Sequence, residues 1–214
     1  MAIHLVGESP EATTRLADLG LRVEDIHEAH QAGRAEFLTY TAHDRVGAAG
    51  GAGLSRVLRV MSDRLVADGW VRTNPLNLGV LTHPGREHSL VVSSGDALTG
   101  SVFGAPRTRN PKGPATARLV ARNNTLMRQN ALTLFALDQE PLPEEFRIAT
   151  WVLLVAEVDG VLLAEVSFPV AMAGSWVTDW AERIIVPSLD TGEGGSWTLV
   201  EDGPDYDFDV SAKA

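Results

Sequence analysis

An α+β fold, with a mostly antiparallel sheet, helices packed on it, N-terminal helices and an acidic C-terminal segment, is the class this sequence predicts. Three observations predict it. Through the first third of the chain apolar residues recur at the 3.6-residue spacing of amphipathic helices. From Trp70 onward the period becomes that of strands, with Asp159-Gly160 set between two apolar runs as a hairpin dipeptide. The resulting order, α-α-α-β-β-α-β-β-α-β, is not the regular βαβ alternation of a parallel sheet.

The elements follow in order. Residues 9–18 open with Ser9 as a cap, Pro10 at the first helical position and Glu11 in the first turn. Residues 24–41 form a longer helix, with Ile26, Ala29, His30, Gly33, Phe37 and Tyr40 on one stripe. A Gly-rich stretch, 46–53, reads as a flexible connector. Helix 54–68 then carries Leu54, Val57, Leu58, Met61 and Leu65 on one face, with Gly69 as its stop. Strands are expected at Trp70-Val71, Leu78–Thr82 and Ser89–Ser93, the last two flanking a His83-Pro84-Gly85-Arg86 turn. A long loop, 94–113, leads to a helix opening at Pro114 and running to about residue 130.

The strongest strand signal is 150–169. Pairing outward from Asp159-Gly160 sets Val158 against Val161, Val155 against Ala164, Leu153 against Val166 and Trp151 against Phe168. Both faces of this hairpin are apolar, which calls for cover on both sides or a dimer partner on one. A short helix at 175–182, with Trp176 and Trp180 four apart, and a strand at Ile184–Val186 follow. The chain divides into an N-terminal helical region (1–45), an α+β core (46–190) and an acidic segment (191–214), together one compact domain.

Composition excludes several classes. A chain of 214 residues, 44% hydrophobic and 21% charged, is globular rather than disordered. With no cysteine there is no disulfide framework, thiol nucleophile or cysteine-ligated metal. The longest apolar run, Trp151–Ala156, is six residues, against the ~20 a membrane-spanning helix needs. The N-terminus lacks a basic start followed by an apolar stretch, so a cytoplasmic protein is expected. Twenty-eight acids against 18 bases give a net charge of −10, a field that repels nucleic acid and anionic membranes.

Against that background Arg107, Arg109 and Lys112 stand out, three positive charges within six residues. Gly113 permits close backbone approach and Pro114 presets a helical turn, while Arg118 extends the patch along the next helix. Helix N–H groups with guanidinium forks suit a phosphate or carboxylate. Asp96, at a strand end just upstream, is the candidate base or ligand-orienting carboxylate; Asn123, Asn124 and Asn130 add polar reach.

Gly95-Asp96, Thr99-Gly100, the run NPKGPAT (110–116), the Asp159-Gly160 hairpin and WAERIIVPSLD (180–190) together resemble uncharacterised proteins of actinobacteria and their phages, over roughly residues 55–190. The resemblance brings no assigned activity and no catalytic residues. A phage or host-defence setting rests on it alone.

Other templates fail on their residues. The Gly-rich stretch before helix 54–68 lacks the lysine of a P-loop and a preceding strand. His27 and His30, three apart on a helix, read as one surface and one core histidine; His83 and His88 straddle a turn with Glu87. There is no HExxH, and no metal or other cofactor is assigned. Asp205-Tyr206-Asp207-Phe208-Asp209 starts like a calcium loop but has Val210 where that loop needs glycine, and reads as a charged edge strand. No GxSxG is present, and the hairpin puts Glu157 and Glu165 on opposite faces. A winged-helix reading of 54–86 conflicts with the net charge.

The leading expectation is a non-enzymatic binding or regulatory protein that recognises an anionic ligand or an acidic partner through the 94–118 loop. The alternatives are a hydrolase or transferase of phosphate-bearing substrates with Asp96 as base, or a structural homodimer using Trp151, Phe168, Trp176 and Trp180.

Overall fold

The computed structural model describes residues 4–7, 9–129 and 147–191. Seven strands make one sheet: β1 (His4–Val6), β2 (Val71–Thr73), β3 (Val80–Thr82), β4 (His88–Ser94), β5 (Ala149–Val158), β6 (Val161–Ala173) and β7 (Trp176–Asp190), in the spatial order β1-β7-β6-β5-β4-β3-β2. Among the described residues four α-helices, α1 (Pro10–Asp18), α2 (Val23–Phe37), α3 (Ala48–Ala67) and α4 (Pro114–Gln129), cover it. The fold is α+β, but the sheet is mixed rather than mostly antiparallel. β1 runs parallel to β7 and β4 parallel to β5. The second pairing follows from α4, whose chain returns to start β5 at the same end where β4 started.

The two faces are divided among the helices. Leu90, Trp151, Leu153, Val155, Ala164, Val166, Ile184 and Val186 pack with Leu16, Ile26, Val57, Met61 and Leu65 of α1–α3. Val91, Val152, Leu154, Val177 and Trp180 pack with Ala115, Leu119 and Val120 of α4. The two apolar faces of the hairpin are therefore covered within the chain. Trp151 (6% exposed) stacks at a tilt against Phe168, and Trp180 (1%) lies in the α4 core.

The hairpin register is the one the sequence predicts, Val158 opposite Val161 through Leu153 opposite Val166. Asp159 and Gly160 both take positive φ, +51° and +79°, as a type I′ turn requires. Ser9 caps α1 through its side chain, accepting from Ala12 N–H at 3.4 Å.

Two local readings are corrected. Residues 175–182 are not a helix but the first half of β7. Trp176 and Trp180 mimic helical spacing, but irregularities in the β6/β7 register at Phe168–Met172 shift the strand's alternation, so that Val177 and Trp180 face the same core. The Gly-rich stretch is not a connector: apart from Gly47, the left-handed N-cap, its glycines lie in the first turns of α3. Gly53 faces Gly33 of α2, where an added Cβ on Gly33 would stand 2.8 Å from Gly53 O and 2.5 Å from Val57 Cγ2. The glycines bring two helix backbones together. The β3–β4 hairpin is part of the sheet, not a free wing. The acidic segment from 192 on, including the strand readings at 197–200 and 205–210, lies outside the described residues, as does Asn130.

Candidate functional site

Loop 95–113 carries most of the predicted site residues, and it is built into the sheet at both ends. Where β4 ends, the chain doubles back: Asp96 N–H donates to Arg107 O (3.1 Å) and Arg109 N–H to Ser94 O (2.9 Å). The return leg then fastens to the start of β7, with Thr108 N–H donating to Val177 O (3.1 Å), Val177 N–H to Thr108 Oγ1 (3.2 Å) and Lys112 N–H to Ser175 O (2.6 Å). Trp180 Nε1–H donates to Pro106 O at 2.7 Å.

The middle of the loop is held by a buried ion pair that sequence reasoning missed as a pair. Glu165 on β6 and Arg183 on β7 are 0% and 3% exposed at their side chains and meet at 2.5 Å. Glu165 also accepts from Ser167 Oγ–H (2.6 Å) and Gly100 N–H (2.8 Å). The Arg183 guanidinium donates to Gly104 O (2.6 Å) and Ser101 O (3.0 Å). A buried charge is tolerable when partnered on every side, and these two are. The signal was present in the sequence: a glutamate interrupting an apolar face of a central strand requires a cation, and Arg183 lies inside the run ERIIVP.

This anchoring sorts the predicted residues. Asp96 Oδ1 accepts from Leu98 N–H (3.1 Å), a local turn bond, while Oδ2 lies 3.7 Å from Arg107 Nε. Arg107, 59% exposed at its side chain, also lies over the Trp176 ring at 5.7 Å. Such an exposed pair is worth only ~0–1 kcal/mol and leaves both groups available to solvent. Arg109 is half-buried, and Arg118 is exposed on the outer side of α4. Lys112 and Gly113 are different: they line a cavity of about 240 Å³ with Ser93, Thr108 and Thr116.

That cavity lies along the C-terminal half of β4 (Val91–Ser93), between the start of α4 and Leu54 of α3. Apolar walls come from Leu54, Leu78, Val152 and Val177. Its polar end is the start of α4, where Gly113 O accepts the first helical bond from Ala117 N–H (3.2 Å). A helix N-terminus carries about half a positive charge, to which Lys112 adds one. The adjoining chain takes left-handed backbone at Leu76 (φ +51°) and Asn77 (φ +62°), and Asn77 forms part of the wall. Asp96, Arg107, Arg109 and Arg118 are not among the lining residues, so the fold parts the candidate carboxylate from the cavity. Thr108 and Thr116 went unnoticed, although Thr116 closes the NPKGPAT run.

α4 is itself fixed by one side chain. The β5/β6 pairing runs only as far as Val152–Ser167, two residues short of Pro169, and proline has no N–H for a ladder. Asn123, fully buried, fills the gap: Nδ2–H donates to Thr150 O (2.8 Å) and Pro169 O (3.0 Å), and Oδ1 accepts from Thr150 N–H (3.0 Å). The carboxamide acts as a substitute peptide group between β5 and β6.

Two titratable groups on the other face, His30 and Glu157, lie in buried contacts. His30 is buried, and desolvation, with His27 nearby, lowers its pKa to about 3. Burial raises the Glu157 carboxyl, and Arg34 on α2, at 3.3 Å, pulls it partly back. No helix among the described residues is long and apolar enough to cross a membrane.

The class these observations define is a mixed seven-stranded α+β protein with a small cavity at the start of the crossover helix. Comparisons with protein-family models, curated proteins and solved structures return no match.

Proposed function

We propose that this chain is a non-enzymatic binding protein for a small organic anion, its phosphate or carboxylate held by Lys112, Gly113 and Thr116 at the start of α4. The observation that carries the reading is the cavity itself, about 240 Å³ with a cationic, hydroxyl-bearing end and an apolar body. It is smaller than the ~300–1,000 Å³ of sites for drug-sized ligands, so a charged head with a short apolar stem suits it. Its position also favours the reading, because ligands in sheets with parallel strands gather near the strands' C-terminal ends and at helix N-termini. Arg107 and Arg118 then serve as an outer field that draws an anion toward an otherwise acidic molecule. Binding is favoured over hydrolysis or group transfer because the cavity lining has no carboxylate or histidine to act as base.

The test is a thermal-shift and calorimetric panel at low salt: inorganic phosphate, nucleotides, phosphomonoesters and short-chain carboxylates. A ligand at 100 times its dissociation constant adds ~2.7 kcal/mol. For a chain of this length that is roughly 5–10 °C in Tm. Lys112→Ala should abolish the shift, and Arg107→Ala should weaken binding by no more than a few-fold. No shift with any anion, or one that survives Lys112→Ala, overturns the proposal.

A further inference from the structure

At the far end of the sheet three aromatic rings close the β2–β3–β4 edge on the α1–α3 face. His83 and His88 are the pair flanking the β3–β4 turn, joined by His83 N–H to His88 O at 3.0 Å. Their rings stack with centroids 4.7 Å apart and 20° between planes, and Trp70 meets both edge-on, at 5.2 Å and 5.5 Å. Glu87, exposed in the same turn, completes a group whose ligand atoms all lie within 4.8 Å of one another. We infer that His83, Glu87 and His88 form a binding site for a borderline divalent transition metal, Zn²⁺ being the type case.

Four features carry the inference. First, the donor set is two imidazoles and a carboxylate, the combination that suits zinc and its neighbours rather than calcium or magnesium. Second, His88 is already oriented as metal-ligating histidines are. Its Nε2 lies 3.1 Å from Leu19 O, and because a carbonyl only accepts, Nε2 carries the proton and Nδ1 keeps its lone pair. Third, the closure needed is small. Tetrahedral ligands at ~2.0–2.1 Å from the metal stand about 3.3 Å apart, so atoms now within 4.8 Å have about 1.5 Å or less to close, with the His83 ring turning out of its stack on His88 so that both lone pairs meet one ion. His83 Nδ1 accepts from Gly85 N–H (3.1 Å), a solvent-exposed turn bond that a metal ion would displace. Fourth, the site is reachable: His88 is buried, His83 half-buried and Glu87 exposed, so an ion enters from the Glu87 side and retains water at its fourth position. Three protein ligands and an open position is the arrangement of a reactive rather than a sealed zinc site. The turn spacing in the sequence did not reveal this, because the third ring and the Leu19 carbonyl come from distant parts of the chain.

The experiment uses the full chain after chelator treatment and dialysis. Zinc chloride is titrated by calorimetry, Co²⁺ is followed by its visible absorption bands, and Cu²⁺ is followed by quenching of Trp70 against a Trp70→Phe control. Expected are one equivalent of Zn²⁺ bound, a Co²⁺ spectrum of low coordination number, and quenching that Trp70→Phe removes. Glu87→Gln is a surface change whose metal-free melting curve should match the parent's, and His83→Gln, which removes a half-buried ring, is measured under conditions where its own metal-free melting curve shows it folded; each should weaken Zn²⁺ binding by at least roughly 10–100-fold, the loss seen when metal sites are perturbed. His43→Gln, on a remote exposed segment, should leave binding unchanged. Absence of stoichiometric binding, or parental affinity in either His83→Gln or Glu87→Gln, overturns the site.

Discussion

Replacing Asn123 tests how far one side chain holds two layers of this fold together. Asn123→Ala removes three hydrogen bonds of 2.8–3.0 Å and leaves the N–H and C=O of Thr150 and the C=O of Pro169 without partners in a buried layer. A buried polar group left unsatisfied costs ~1–3 kcal/mol, so three set an upper range near 3–9 kcal/mol. One water in the vacated space would re-pair some of them, and the expected loss is therefore ~3–5 kcal/mol. Against a typical stability of ~5–15 kcal/mol this is severe but survivable. At ~2–4 °C per kcal/mol it lowers Tm by roughly 6–20 °C. Urea unfolding followed by tryptophan fluorescence measures it, with the midpoint falling and the slope unchanged. Asn123→Asp sharpens the test. Its carboxylate can still accept from Thr150 N–H but faces two carbonyl oxygens, so it should be at least as unstable as alanine at neutral pH. Lowering the pH supplies a proton that one carbonyl can accept, so Asn123→Asp should gain on Asn123→Ala as pH falls. If Asn123→Ala lies within about 1 kcal/mol of the parent, below the cost of even one buried orphan, the substitute-peptide account is refuted.

Three further outcomes are expected. Gly33→Ala places a methyl 2.8 Å from a backbone oxygen of α3; overpacking of ~1–3 kcal/mol should outweigh the ~1 kcal/mol helix-propensity gain, and parental stability in urea would show that α2 and α3 part freely. Arg183→Met strands the Glu165 carboxylate, costing ~3–5 kcal/mol, and unclamps the loop around Phe103, which is 97% exposed; chymotrypsin should cut there faster, while adding Glu165→Leu restores stability without restoring the clamp, and unchanged cleavage would deny the clamp. His30 binds its proton in the unfolded chain near pH 6.5 but in the folded chain only at about 3, so its contribution is intact above pH 6.5 and falls as pH drops from there toward 3, by ~2 kcal/mol at pH 5. His30→Gln should flatten that limb of the stability profile, and an unchanged slope between pH 6.5 and 5 would refute the assignment.

What was legible in the sequence was what local chemistry decides. Ser9 and Pro10 start α1, Asp159-Gly160 turns a hairpin in the expected register, and Pro114 opens α4. What was not legible depended on partners far along the chain. The parallel pairing of β4 with β5 leaves no mark on either strand. Trp176 and Trp180 imitate a helical repeat in sequence, while in the strand the register slip opposite Phe168–Met172 brings Val177, not Trp176, onto the core with Trp180. The glycines of α3 look like freedom when read alone and like a contact surface once Gly33 stands opposite. At the candidate site the cationic run was visible, but which of its members face a cavity was not: that depends on the loop's return past β7, which admits Lys112 and turns Arg107 outward.

The pairing of β1 with β7 has a consequence for how the chain is made. His4 lies opposite Glu182, so the first of the described strands waits for the last of them to be made. At roughly 5–20 residues per second that interval is on the order of 10–35 s, during which α1 and α2 have no finished sheet to rest on. Contacts this distant in sequence form slowly. Once β7 has emerged, and for as long as β1 has not docked on it, its outer edge at Glu182–Ile184 is an open row of backbone donors and acceptors, the template on which chains pair with each other instead of with themselves. Three residues of β1 thus act as a closing tab over that edge.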